Sequence, residues 1–140
     1  MDVELMKLLQ VNPNYVCQMW PQVNSMLEKA LEFSGGEYNI DQLKGMLATG
    51  NKTLLVASDN EVIKGAAAID LIRYPNDFIC FVMAIGGKMI TSPDMFNQLS
   101  DWAKSQGCTK IQGAARESVE RLWRQKFGFS ERYRIVEKPL

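Results

Sequence analysis

The chain has 140 residues, 46% of them hydrophobic and 23% charged, a size and balance suited to one domain spanning 1–140 with its own core. Sixteen Lys and Arg offset sixteen Asp and Glu, and this zero formal charge argues against the basic footprint of a nucleic-acid-binding domain. Histidine is absent, which removes a Ser-His-Asp triad, a Cys-His dyad and every His-ligated metal site, so no metal is expected.

Cys17, Cys80 and Cys108 are odd in number and far apart, with no Cys-x-x-Cys pair. Small secreted scaffolds use many more, so these read as reduced thiols in a cytoplasmic protein. A nucleophilic Cys108 is the alternative, weakened by the lack of a histidine to activate it. Met1-Asp2-Val3-Glu4 shows neither the basic region nor the apolar core of a signal peptide. No apolar run approaches the ~18 residues of a membrane span.

Val3 to Leu9 reads as a short strand. From Pro13 to Phe33, Val16, Met19, Trp20, Val23, Met26, Leu27, Ala30 and Leu31 recur at three- and four-residue intervals, one face of a helix. Pro21 marks a break or a new first turn within it, and Ser34-Gly35-Gly36 ends it. A second helix begins after Asn39 or Asp41, carries Leu43, Met46 and Leu47, and stops at Gly50-Asn51. Lys52 to Ala57 and Val62 to Arg73 are strand-like about a turn at Ser58-Asp59-Asn60, and Tyr74-Pro75-Asn76-Asp77 turns into the apolar run Phe78 to Ile85. That run reads as a central strand buried on both faces, so these three strands form an antiparallel meander.

The period then changes. Ser92-Pro93-Asp94 opens a helix, with Ser92 as N-cap and Pro93 in the first position. Met95, Phe96, Leu99, Trp102 and Ala103 form its apolar face, and Gly107 closes it. Cys108 to Ala114 is a strand, Glu117 to Phe127 a helix capped by Gly128, and Phe129 to Val136 a last strand. Trp102 and Trp123 stand at helical spacing with Leu99 and Leu122 and read as core. A strand-helix-strand unit is a right-handed crossover that lays its strands parallel. The expected fold is therefore α/β (α+β), a mixed, mostly antiparallel sheet of six to seven strands with helices on both faces.

This order resembles the GCN5-related N-acetyltransferase (GNAT) superfamily, with its acyl-CoA N-acyltransferase fold, over almost the whole chain. Two stretches carry the likeness: Asp101-Trp102-Ala103-Lys104-Ser105-Gln106-Gly107-Cys108, and Glu120 through the Gly128-Phe129 pair. The compact layout is also similar, more loosely, to small GNAT-like proteins of tailed bacteriophages. In the family, acetyl-coenzyme A lies where the fourth and fifth strands splay apart. The resemblance implies that Val82, Met83 and Ala84 bond its pantetheine arm through their backbone. It also implies a pyrophosphate on the turn formed by Gly86, Gly87, Lys88, Thr91 and Ser92, where backbone N–H groups and a helix dipole favour an anion. Counted back from Trp102, the family's loop glycines fall on Lys88, Ile90 and Ser92, so the glycines here are displaced. Lys88 still offers a point charge, and Thr91 and Ser92 offer hydroxyls. Arg116 occupies the region where the family often has a cofactor-contacting Asn, although an ion pair with Glu120 serves equally well.

Transfer of an acetyl group to an amine needs a base for the amine and an acid for the thiolate. The family's base is often a carboxylate on the fourth strand, and Phe78 to Ile85 contains none. Its acid is often a tyrosine where this chain has Arg124, beside Trp123, and neither residue gives up a proton at neutral pH. Asp70, Tyr74 and Tyr133 remain as catalytic candidates. The implied function is acetyl-CoA-dependent N-acetylation of a small-molecule or protein amine. The alternative is a catalytically silent phage protein, in the host cytoplasm or the virion, serving as a structural or host-interaction module. That alternative draws on the displaced loop glycines together with the missing base and acid, and it places a partner on the basic C-terminal region, where residues 101–140 carry nine Lys/Arg against five Asp/Glu. Arg121 and Arg124, three apart on one helix, would form its partner-binding patch.

Overall fold

A computed structural model describes residues 6–32, 35–89, 92–115 and 117–140. Five strands are formed among these residues, in the spatial order β1-β2-β3-β4-β5: β1 Lys7–Val11, β2 Thr53–Asp59, β3 Val62–Arg73, β4 Phe78–Gly87 and β5 Lys110–Gly113. The first four pair antiparallel, and β5 lies parallel to β4, as the crossover requires. Helices α1 Val16–Leu31 and α2 Ile40–Ala48 cover one face of the sheet, and α3 Pro93–Ser105 and α4 Glu117–Phe127 the other. The mixed sheet with helices on both faces is as expected.

Local chemistry accounts for the boundaries. Asn39 and Gln42 form a reciprocal capping box that starts α2, and Ser92 Oγ accepts from the Met95 N–H to start α3. Pro21 neither breaks nor restarts α1. It removes one N–H near the start of the helix, and with it the bond to the carbonyl of Cys17 four residues before. Pro13–Tyr15, expected as helix, is a 3-10 turn leading into α1. The β2–β3 hairpin turns through Asn60 and Glu61, both at positive φ (48° and 68°), the geometry that matches strand twist.

Alternation along the strands divides the interior in two. Leu54, Val56, Ala66, Ala68 and Ala84 meet Val16, Trp20, Val23 and Leu27 of α1 and Leu43 and Leu47 of α2. Leu55, Ala67, Ile69, Cys80 and Val82 meet Met95, Leu99 and Ala103 of α3 and Trp123 of α4. Each fully buried leucine contributes ~1.5–3 kcal/mol of hydrophobic stabilisation. Gln98 of α3 clasps the outer strand, accepting from the Leu8 N–H and donating to the Met6 carbonyl, both at 2.8 Å. That contact covers an edge otherwise open to another chain.

Two expectations need correction. The sheet has five strands among the described residues, where six to seven were expected. Phe129–Val136, read as the last strand, takes no regular secondary structure. Its Tyr133, Ile135 and Val136 are 66%, 84% and 89% exposed. Apolar alternation alone does not make a strand without a neighbour to complete its hydrogen bonds and bury its side chains. The second correction concerns β4, which runs on through Gly86 and Gly87, so these glycines belong to a strand rather than to a loop. Part of the first expected strand (Val3 to Leu5), the expected helix end at Phe33 and Ser34, and Ile90, Thr91 and Arg116 lie outside the described residues.

The two glycines are explained by close approaches of α1 and β3. A Cβ on Gly86 would sit 2.6 Å from the Met26 carbonyl oxygen, and one on Gly87 (φ +65°) would sit 2.4 Å from the Lys64 carbonyl oxygen. Both neighbours are backbone, with little room to yield. Gly86→Ala is expected to cost about 1–3 kcal/mol in chemical denaturation. By contrast, Gly45→Ala, inside α2 with nothing within 4 Å, is expected to stabilise by about 0.5–1 kcal/mol in the same assay.

Candidate functional site: a wedge between two parallel strands

The β4–β5 ladder is short. It pairs Ile79 with Lys110, Cys80 with Ile111, Phe81 with Gln112 and Val82 with Gly113, and there it stops. On its other side β4 stays paired to β3, but the register shifts: Ala68 faces Ala84 and Ile69 faces Val82, which leaves Met83 as a bulged residue without a partner. A bulge bends its strand and adds local twist. It falls one residue beyond the last β4–β5 pair, so β4 turns away from β5 at that point.

The divergence leaves a cavity of about 490 Å³. Residues Val82 to Gly87 form its floor, Ser25, Met26, Lys29 and Ala30 of α1 one wall, and Ala114, Ala115, Val119 and Trp123 the other. Beyond Val82 no strand among the described residues neighbours the wedge side of β4, which leaves backbone groups there open to a ligand. Among the described lining residues the side chains are apolar except for Ser25, Lys29 and the indole of Trp123, and all three can donate hydrogen bonds. No carboxylate is among them.

Of the expected cofactor-binding residues, Val82, Met83, Ala84, Gly86 and Gly87 are brought together in this cavity. Lys88 and Ser92 are not. Lys88 is exposed, and its N–H donates to the Lys64 carbonyl at 2.8 Å. The Ser92 hydroxyl is engaged as the α3 cap, 3.2 Å from the Met95 nitrogen. The next two residues, Pro93 without an N–H and Asp94 with a negative charge, make that helix start a poor anion cradle.

The catalytic candidates stand elsewhere. Asp70 accepts from Lys52 Nζ at 2.9 Å, Tyr74 is half-exposed in the β3–β4 turn, and Tyr133 lies in the exposed C-terminal segment. None of the three lines the wedge. Arg124 is exposed and 3.6 Å from Glu120, whereas its neighbour Trp123 is buried and forms part of the cavity wall. Burial pushes the Cys108 thiol above its ordinary pKa, only partly opposed by Arg73, which disfavours the nucleophilic thiolate.

Some contributions were not foreseen. Met26 and Ala30, one turn apart on α1, flank the buried Val23–Leu27 stripe and reach the wedge, and their half-buried positions beside that stripe are the available signal. Tyr38, in the α1–α2 connection, donates to the Met83 carbonyl at 3.4 Å and so ties the bulge to the helical layer. Its pKa is raised, mainly by burial and further by the charges of Glu37 and Asp70. Nothing in its local sequence marks this role.

A second hollow, of about 580 Å³, lies along the outer edge of β5 against Phe96, Phe127 and Phe129. It borders the edge that no further strand among the described residues covers, and it does not share the open β4 backbone.

No family model and no curated protein matches the sequence. Solved structures do match over nearly their full length. An aminoglycoside N-acetyltransferase, AAC(6')-Iy in complex with CoA, aligns with a TM-score of 0.68 at 14% identity, covering 99% of this chain and 97% of that one. A ribosomal-protein-alanine N-acetyltransferase from Brucella melitensis biovar Abortus 2308 aligns at 0.70 and 14%, covering 96% and 99%. The fold is that of the GNAT acetyltransferases. A predicted acetyltransferase with acetyl-CoA from Clostridium acetobutylicum shares this GNAT fold at 0.65 and 18% identity, covering 96% of each chain.

Thiol reactivity tests the packing beneath the wedge. Burial pushes the Cys80 thiol up to about 12, whereas Cys17 is exposed. With an aromatic disulfide reagent at mildly alkaline pH, Cys17 is expected to react first, Cys108 more slowly, and Cys80 only on unfolding. A high-pH titration tests Tyr38. Its folded pKa lies above the unfolded value, so the stability from its neutral phenol is present below about 10 and is lost as pH rises through the folded pKa. Tyr38→Phe is expected to remove that part of the alkaline unfolding profile.

Proposed function

We propose that the wedge binds the pantetheine arm of acetyl-coenzyme A and that the chain transfers the acetyl group directly to an amine. The observation that carries this reading is the end of the β4–β5 ladder at Val82–Gly113, followed at once by the Met83 bulge. An extended chain with two amides, such as pantetheine, can lie along the open side of β4 as a further strand would, bonding to backbone groups at the strand spacing of ~3.3 Å per residue. The solved structures of this fold with CoA or acetyl-CoA support that choice of donor.

In this reading the cavity residues position and exclude water more than they move protons. Met26, Ala30, Val119 and Trp123 give the arm apolar walls, and the low local dielectric strengthens any hydrogen bond to the thioester oxygen. With no carboxylate among the described lining residues, the amine's proton leaves through water. Neither the Trp123 indole nor Lys88, which lies outside the cavity, is assigned a proton-transfer step. The acceptor is an amine of a small molecule or a protein.

Calorimetric titration with acetyl-coenzyme A is expected to give a Kd below about 1 mM, the upper end of ordinary substrate affinities. No heat at millimolar ligand overturns the reading. Ala114 is exposed at the wedge lip, so Ala114→Trp is expected to leave the fold intact. By filling the slot it should weaken binding about tenfold or more, or ~1.4 kcal/mol.

A further inference from the structure

Lys29 differs from the three lysines that are fixed in ion pairs. Lys52, Lys64 and Lys110 each hold a carboxylate within 3.1 Å. Lys29 has no such partner among the described residues, although Glu28 and Glu32 are close to it on α1. It is also the single ionisable side chain among the described residues that line the wedge. Its helix is held against β4 by backbone contact between Met26 and Gly86, so the wall that carries it is fixed in place. Met26 lies over Gly86 near the end of β4. The next turn, with Lys29 and Ala30, lines the same cavity as Met83, where β4 and β5 part.

We propose that Lys29 is a site of self-acetylation, modified by the acyl thioester held in the wedge. This rests on the reading of the wedge as an acetyl-coenzyme A site. The neutral Nζ of Lys29 forms an amide bond to the acetyl carbon while the C–S bond of the thioester breaks. The sulfur leaves with the electron pair, and the proton lost from nitrogen ends on the thiolate. The products are Nε-acetyl-lysine and free coenzyme A. Modification neutralises the one cationic group among the described lining residues and adds bulk to the α1 wall, so it narrows the slot for the next donor molecule.

The test is peptide mapping by mass spectrometry of the folded chain incubated with acetyl-coenzyme A, with the exposed Lys104 and Lys126 as internal comparators. Holding amine and thioester in one site raises their effective concentration, so Lys29 is expected to gain acetyl about tenfold faster or more than either comparator. Unacylated coenzyme A in excess is expected to protect Lys29 and leave Lys104 and Lys126 unprotected. Lys29→Arg keeps the charge and is expected to abolish acetylation of that peptide. Binding by calorimetry with Lys29 modified no faster than Lys104 overturns this inference alone. Absence of binding overturns the reading beneath it as well.

Discussion

A bulge bends the strand that carries it and turns that strand away from a straight parallel neighbour. Here β4 must satisfy β3 on one side along nearly its whole length, and the register shift at Met83 is how it does so. The cost falls on the other side, where β5 loses its partner after four residues. The free backbone, the cavity and the separation of the α1 and α4 walls all follow from that competition between two neighbours for one strand.

The surroundings keep the gap from closing. α1 lies so close to β4 that only glycine fits at position 86, so this wall cannot shift inward. On the far side Gly113 performs the same service for Trp123, whose ring carbon would stand 3.0 Å from a Cβ placed there. The acidic side chains near the sheet are held by lysines outside the cavity, Asp70 by Lys52, Asp59 by Lys64 and Asp77 by Lys110. The wedge is therefore apolar and supplied with donors, a setting that suits a neutral thioester better than a free anion.

Much of the architecture could be read before any coordinates. The α1 stripe, the capping signals at Asn39 and Ser92, the meander and the crossover through α3 all rest on local periodicity and end chemistry, and all are present. What could not be read depends on partners distant in sequence. Tyr133, Ile135 and Val136 have strand character, but nothing in their own segment states whether a neighbour exists to pair with. The continuous apolar run of β4 conceals its bulge, because a strand buried on both faces shows no alternation to break. Gly86 and Gly87 looked like a phosphate loop since glycine signals close approach of something, and the sequence does not say that the something is a helix at Gly86 and the neighbouring strand at Gly87. The cavity gathers residues from α1, β4, the end of β5 and α4, and no single motif spans those distances.

The way α4 is fastened has its own consequence. Phe96 of α3 stacks on Phe127 with centroids 4.3 Å apart and meets Phe129 edge-on at 5.6 Å, while Phe129 leans on Trp123 at 5.1 Å. One bank of the cleft is thus glued by ring contacts, whereas the other is keyed to the sheet by backbone. Ring contacts draw on apolar hydration, which weakens on cooling, and they can let go while strand ladders persist. The two banks are thus fastened differently: the α4 side by a cluster of aromatic rings, the α1 side by an apolar stripe together with a close backbone approach at Gly86.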